Sequence, residues 1–469
     1  MSAFDLKENS RYAADPAMTN CSGPILFDAS SIREMLIRYT PTQGTAQSLG
    51  AGPTCYNDTE IKFHIQFDTG SRVRFDKSYL KIDYVALNVG VSPATKVDEA
   101  NVSIPWNTIA AMFSTAYYQL NSTNQTVERY DANWQHGNMI KVLTSYTRAA
   151  LEEARDRFFT PCIESIRDTG GALSAESVAR ATAAFKEEGT TEPKYGSKIV
   201  MLSDLFDSLT TETACYAQVF QLYLRFKAPN AILFQTTAAT GTNNLYVVGL
   251  QLYMMQNVLS EVQVDQMAAL VKENLPVIRN SYRRFDTYID THNTSKSYVT
   301  TGIKNLQAAV LMFPSTTSTD LTGINPYQYC YGSRPTPNNN TGISMYQHRY
   351  GPHTYPMSSQ TVELINKGKN TDVYEHWRTL CRTINDKMYT PSIPFAAMSR
   401  TDSNGPDSNP YVFFPAVFCN QDAAPMKLAA GADHEIMTSG GNAGIVGVVV
   451  RVRVNAYSID GHGTVTVMD

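Results

Sequence analysis

The chain has 469 residues, a net charge of −4 and only 17% charged residues. It is long enough for two sizeable hydrophobic cores, and it lacks the basic excess that gripping nucleic acid requires, so no sequence-specific nucleic-acid binding is expected. The seven cysteines stand singly with no C-x-x-C pair, which argues against a zinc site, a redox pair or a disulfide framework.

In chain order, residues 1–57 read as a polar, irregular N-terminal arm with a short apolar stretch at Ile32–Ile37. The segment Ile61–Phe67 alternates apolar and polar side chains, the period of a strand with one buried face. Arg72–Leu87 repeats that signal, and Ala116–Asn121 reads as a strand running into a turn. From Asn138 the period changes: Met139, Ile140, Leu143 and Tyr146 recur at helical spacing, as do Leu151, Ala154 and Phe158. An Ala-rich run to Glu188, with Ser174 as its N-cap, forms a second helical piece. Strand texture returns at Ala217–Phe226 and Leu245–Met254, followed by an amphipathic helix over Ser260–Lys272.

The second half starts again with strands at Phe285–Ile289 and Leu306–Phe313, then a long loop rich in Asn, Pro and Gly over Leu321–Thr341. Ile343–Tyr350 reads as a strand, Asp372–Met388 as a helix, and Tyr411–Phe414, Ala416–Cys419, Ile445–Tyr457 and Thr464–Met468 as closing strands. Strands and helices do not alternate regularly, which excludes a parallel α/β sheet. The expected fold is mainly β: two tandem jelly-roll sandwiches, at 58–257 with a helical insertion over 138–190 and at 285–469, joined by a linking helix region at 258–284.

A search for chemistry finds little. Gly368-Lys369 is followed by Asn370 and lacks the earlier glycine of a phosphate-binding loop; no dinucleotide fingerprint or nucleophile elbow occurs. His348 and His353 have a spacing that could suit two metal ligands, but Gly351-Pro352 breaks any helix that would align them. His434-Glu435 reads as solvated in a Gly/Ala-rich loop. Glu152-Glu153 and Glu187-Glu188 read as exposed helix faces, and Arg279–Arg284 as a solvated or interface patch. Trp106, Trp134 and Trp377 are core residues or interface anchors, and the core is the expected place for each. No catalytic, cofactor or metal residue is assigned, and no cofactor is expected.

The order of these segments is similar to that of a known family. Four stretches carry the likeness: Pro105–Asn121 with Tyr130-Asp131 and the helix from Asn138; Ile199–Leu209 leading to Val219–Phe226; Leu245–Met254, the Ser260–Lys272 helix and Ile303–Phe313; and the closing pair Val446–Tyr457 and Gly463–Val467. In that order and spacing the chain resembles the double jelly-roll major capsid proteins of polinton-like viruses, adintoviruses, virophages and, more distantly, nucleocytoplasmic large DNA viruses. The resemblance implies a non-enzymatic shell protein of the virion, assembled inside the host cell. It further implies pseudo-hexameric homotrimers that tile an icosahedral capsid around the genome. Implied partners are further copies of the chain, penton and minor or cement proteins and, beneath some shells, an internal membrane. On that reading the arm orders only on assembly. Two rivals are a secreted or surface β-sandwich that binds carbohydrate, and a β-sandwich hydrolase. The segment Met1–Glu8 lacks the features of a signal peptide, against the first; no carboxylate pair can be named for the second.

Overall fold

The computed structural model describes residues 33–49, 52–67, 71–90, 94–98, 100–103, 112–120, 126–131, 134–154, 175–185, 193–210, 219–235, 239–261, 264–265, 278–313, 343–361, 371–385, 390–393, 413–419, 431–440, 445–459 and 465–468. Eight main strands form the first sandwich: β1 (Arg33–Tyr39), β2 (Glu60–Gln66), β3 (Ser71–Asn88), β4 (Phe113–Leu120), β5 (Thr126–Tyr130), β6 (Tyr195–Met201), β7 (Val219–Phe226) and β8 (Asn243–Val258), with the two residues Thr95–Lys96 paired beside the end of β3. Their alternation is direct: in β2 the side chains of Ile61, Phe63 and Ile65 are buried while Glu60, His64 and Gln66 are exposed. The sheet paths are β1-β8-β3-β6 and β2-β7-β4-β5, antiparallel throughout.

The second sandwich repeats the plan. Its strands are β9 (Ile278–His292), β10 (Ser295–Ile303), β11 (Leu306–Met312), β12 (Ile343–Tyr350), β13 (His353–Thr361), β14 (Phe413–Val417), β15 (Ala432–Gly440) and β16 (Ile445–Ile459). The paths β9-β16-β11-β14 and β10-β15-β12-β13 are the first pair with every number raised by eight; β17 (Val465–Met468) is added beside β16. This interleaving of two Greek keys is the jelly roll, so the chain is a double jelly roll. In both sandwiches the longer helices among the described residues lie at the same place in the order, between the fifth strand of that eight and the sixth. They are α1 (Trp134–Ser145), α2 (Arg148–Glu153) and α3 (Ala175–Phe185) in the first, and α4 (Thr371–Ile384) in the second; a single helical turn, Leu202–Leu205, follows β6 in the first.

Three readings change. Arg33–Tyr39, assigned to the arm, is strand β1, paired along its whole length with β8. It is an edge strand whose inward Met35, Ile37 and Tyr39 are only half buried, which weakens the apolar signal. The second sandwich begins inside the expected linker, because β9 starts at Ile278 and runs beside β16 from Ile459 back to Ile445. His434-Glu435, assigned to a loop, lies in strand β15 (Ala432–Gly440) between β10 and β12; its inward side chains include His434 and Thr438. Residues 1–32, the Leu321–Thr341 loop, Trp106 and most of the Ser260–Lys272 helix lie outside the described residues.

Every side chain of β11 is buried, so its sheet is covered on both faces. One face meets the opposing sheet of its own sandwich, where Phe313, Tyr346 and Phe414 pack together. Helices α1 and α4 lie against this same sheet, with Trp377 of α4 packed on Phe413 at 4.8 Å between centroids. Of the twelve residues of α1, ten from Trp134 to Thr144 are buried. A helix buried on all sides belongs in the middle of a molecule, and α1 sits where the two sandwiches meet.

Candidate functional site

The junction is built around α1. At Gly137 a side-chain Cβ would lie 2.5 Å from the Phe285 carbonyl oxygen of β9, so glycine allows the helix and strand to approach. The carbonyls at the end of α1 have no partner within the helix. The second half supplies two: Ser392 Oγ donates to the Leu143 carbonyl at 2.7 Å and Asn385 Nδ2 to the Ser145 carbonyl at 2.9 Å. Lys141, almost fully buried, donates to the Ser203 carbonyl at 2.7 Å and pairs with Asp207 Oδ1 at 3.0 Å. The other Asp207 oxygen accepts from the Phe285 backbone N–H of β9 at 2.9 Å, carrying the network from the first sandwich into the second.

Glu128 of β5 completes it. The side chain is buried and accepts from the Asp207 N–H at 3.0 Å, the Ser208 N–H at 2.9 Å, the Ser208 hydroxyl and the Tyr130 hydroxyl. Tyr118 in turn donates to Ser208 Oγ at 2.5 Å. Burial, and after it the Asp207 carboxylate, pushes the Glu128 carboxyl upward, while the hydrogen bonds from Ser208 and Tyr130 oppose that shift. With every acceptor position filled by this chain's own donors, the Glu128 carboxylate has no free face for a substrate. Its chemistry is that of a fastener.

A second buried polar chain crosses the second sandwich. Arg451 Nε of β16 donates to His434 Nδ1 of β15 at 2.9 Å; His434 Nε2 faces His348 Nδ1 of β12 at 3.4 Å; and His348 Nε2 meets the Phe414 carbonyl of β14 at 3.0 Å. Both rings are completely buried and Arg451 nearly so. His434 is therefore a core residue, contrary to the solvated reading. His353 is exposed on β13 beside the turn, so His348 and His353 form no ligand pair.

The outward faces carry rows of tyrosine. In the β2-β7-β4-β5 sheet, Lys62, Tyr223, Tyr117 and Arg129 are direct cross-strand partners. The two rings stack at 4.4 Å and 7°, with Lys62 4.9 Å from one centroid and Arg129 5.4 Å from the other. Tyr79 and Tyr253 stack at 4.9 Å on the β1-β8-β3-β6 sheet. Such rows hold large side chains in order before any partner arrives, which lowers the entropy cost of contact.

Trp134 and Trp377 are core residues. Cys55, Cys381 and Cys419 are free thiols; the other four cysteines lie outside the described residues. Among the described residues no group of three His, Cys, Asp or Glu could hold a metal ion, and no helix is long and apolar enough to cross a membrane.

No family model matches the chain, and no curated protein sequence matches it. Solved structures do. A chain of the Sputnik virophage structure aligns with a TM-score of 0.55 at 11% identity, covering 92% of this chain and 88% of that one. PBCV-1 VP54, as fitted into a cryo-EM reconstruction of Sputnik, aligns at 0.53 and 8% identity over 93% and 96%. The mavirus major capsid protein aligns at 0.51 and 10% identity over 93% and 90%. At such identities the likeness is one of fold, and it extends over both sandwiches.

Proposed function

We propose that the chain is a viral major capsid protein, a structural subunit without catalytic activity. The observation that carries the reading is the doubled jelly roll held as one block. Two sandwiches of identical strand order are fastened through a buried helix that each of them caps or clasps. Three such chains around a threefold axis set six similar barrels in a ring, a pseudo-hexagon able to tile the facets of an icosahedral shell around the genome. A tile of this kind works only if the angle between its two barrels is fixed, which is what the junction supplies.

The likeness in fold to the mavirus major capsid protein and the Sputnik chain, over nine-tenths of this one, supports the same reading. Obligate interfaces in such assemblies bury roughly 2,000–5,000 Å² and favour aromatic over charged side chains; the outward tyrosine rows suit that demand. The first barrel is taken to include Arg33–Tyr39 and the second to begin at Ile278. Expected partners are further copies of the chain, penton and minor or cement proteins and, as beneath some shells of this kind, an internal membrane; the expected location is the virion, assembled in the host cell. Light scattering on the purified protein tests the proposal: a stable species at three times the 52.0 kDa chain mass, or a larger shell, is expected. A monomer that persists at high concentration would contradict it.

A further inference from the structure

The chain Arg451–His434–His348–Phe414 does more than fill space. Arg451 Nε can only donate, so His434 Nδ1 must accept and the ring proton sits on Nε2. That proton points at His348 Nδ1, which must also accept, so His348 carries its own proton on Nε2 and gives it to the Phe414 carbonyl. The chain leaves one sheet and returns to it: Arg451 and Phe414 belong to β9-β16-β11-β14, and the two histidines between them to β10-β15-β12-β13. The chain is a stitch from one sheet to the other and back.

Neither ring can accept another proton while the sandwich is closed. On His434 Nδ1 it would face the Arg451 N–H; on His348 Nδ1 it would face the His434 N–H. The charged groups around the pair offer no relief. From β9, Asp286 is already held by Arg284 and Arg453, and Tyr288 lies under the Arg451 guanidinium. From β10, Thr300 accepts from Arg451 Nη2 at 2.5 Å. From β12, Tyr346 meets the edge of His348 while its hydroxyl is bound to His376 of α4, and the Tyr350 hydroxyl donates to the Ile303 carbonyl. From the β14 side, Phe418 packs edge-on against His434. No carboxylate among the described residues faces either ring.

We infer that the histidine pair is an acid-triggered release for the second sandwich: protonation is possible only when the two sheets part, so mild acid opens this barrel ahead of the first. Burial, with the neighbouring cations, holds His348 down to about 3 and His434 well below its ordinary value. In the opened state each ring regains a value near 6.5. Opening therefore takes up protons below about pH 6.5; the closed form is at full strength above that point and weakens as pH falls. At pH 5 each such histidine raises the opening equilibrium about thirtyfold, and the pair about a thousandfold. Among described residues the first sandwich has no matching pair: His64 is exposed and His136 stands alone on α1. The inference does not depend on the shell reading.

Hydrogen–deuterium exchange on the full chain, corrected for intrinsic rates, tests it between pH 7.5 and 5.0. The expected result is a loss of protection approaching a thousandfold in β12, β15 and β16, while β2, β4 and β7, with only the buried His136 of α1 to take up a proton, lose about thirtyfold at most. Equal loss in both barrels, or none in the second, overturns it. The H348Q/H434N variant should remove the pair's share of that pH dependence and leave the smaller share of His292, which is buried on β9 and also held below its ordinary value; an unchanged dependence overturns the assignment to these rings. Should the variant not fold, side-chain C2 deuterium exchange in the native protein reads the rings directly. No titration of His348 or His434 above pH 5 is expected, and titration near 6.5 contradicts the inference.

Discussion

Replacing Lys141 by methionine keeps most of the side-chain volume and removes the ammonium group. In the native structure Lys141 is 6% exposed and lies 3.0 Å from Asp207 Oδ1. Without it, Asp207 is a buried carboxylate whose remaining described partner is the Phe285 N–H. Breaking a buried ion pair from one side costs about 3–5 kcal/mol, and loss of the bond to the Ser203 carbonyl adds about 1 kcal/mol. The expected cost of K141M is thus about 4–6 kcal/mol, a large part of the roughly 5–15 kcal/mol that holds a typical domain together. Because the pair stands at the junction, the loss should fall on the coupling between sandwiches. Urea unfolding, expected as one cooperative step in the wild type, should split into two. The double variant K141M/D207N removes both charges and should recover at least about 2 kcal/mol relative to the sum of the singles. A K141M cost below about 1 kcal/mol, or singles that add within about 0.5 kcal/mol, would refute the role given to this pair.

Other consequences follow from the same geometry. Gly137→Ala improves intrinsic helix propensity by about 1 kcal/mol, yet its Cβ would meet the Phe285 carbonyl at 2.5 Å; net destabilisation by thermal unfolding is expected. Trp377→Ala empties a fully buried site against Phe413 and should cost about 3–5 kcal/mol by denaturant titration. The double change Tyr117→Ser with Tyr223→Ser removes an outward cross-strand pair and the Lys62 and Arg129 contacts over its rings, costing the isolated chain about 1–2 kcal/mol. If the tyrosine row is a contact surface, sedimentation should show assembly weakened far more than folding.

Much of the fold is legible in the sequence because apolar side chains mark the inward face of most strands. Ile61, Phe63 and Ile65 do so in β2, and Phe220, Leu222 and Leu224 in β7. The signal fails where the inward face is polar or only half covered. Strand β10 fully buries Tyr298 alone among its residues, β15 turns His434 and Thr438 inward, and β1 lies at a sheet edge. The junction is less legible. Helical spacing locates α1, but not that Lys141 and His136 are buried with it. Glu128 and Asp207 lie far apart in sequence, and neither has a motif around it. One clue to the histidine pair is present in retrospect: His434, Ile436 and Thr438 alternate at the period of a strand, which would have turned His434 inward beside Ile436.

The most direct test of the shell proposal is electron microscopy of the purified, unassembled protein. Single particles with a threefold axis and a near-hexagonal outline of six similar densities are predicted. Isolated particles containing only two barrels, with no ring at any concentration, would contradict the account.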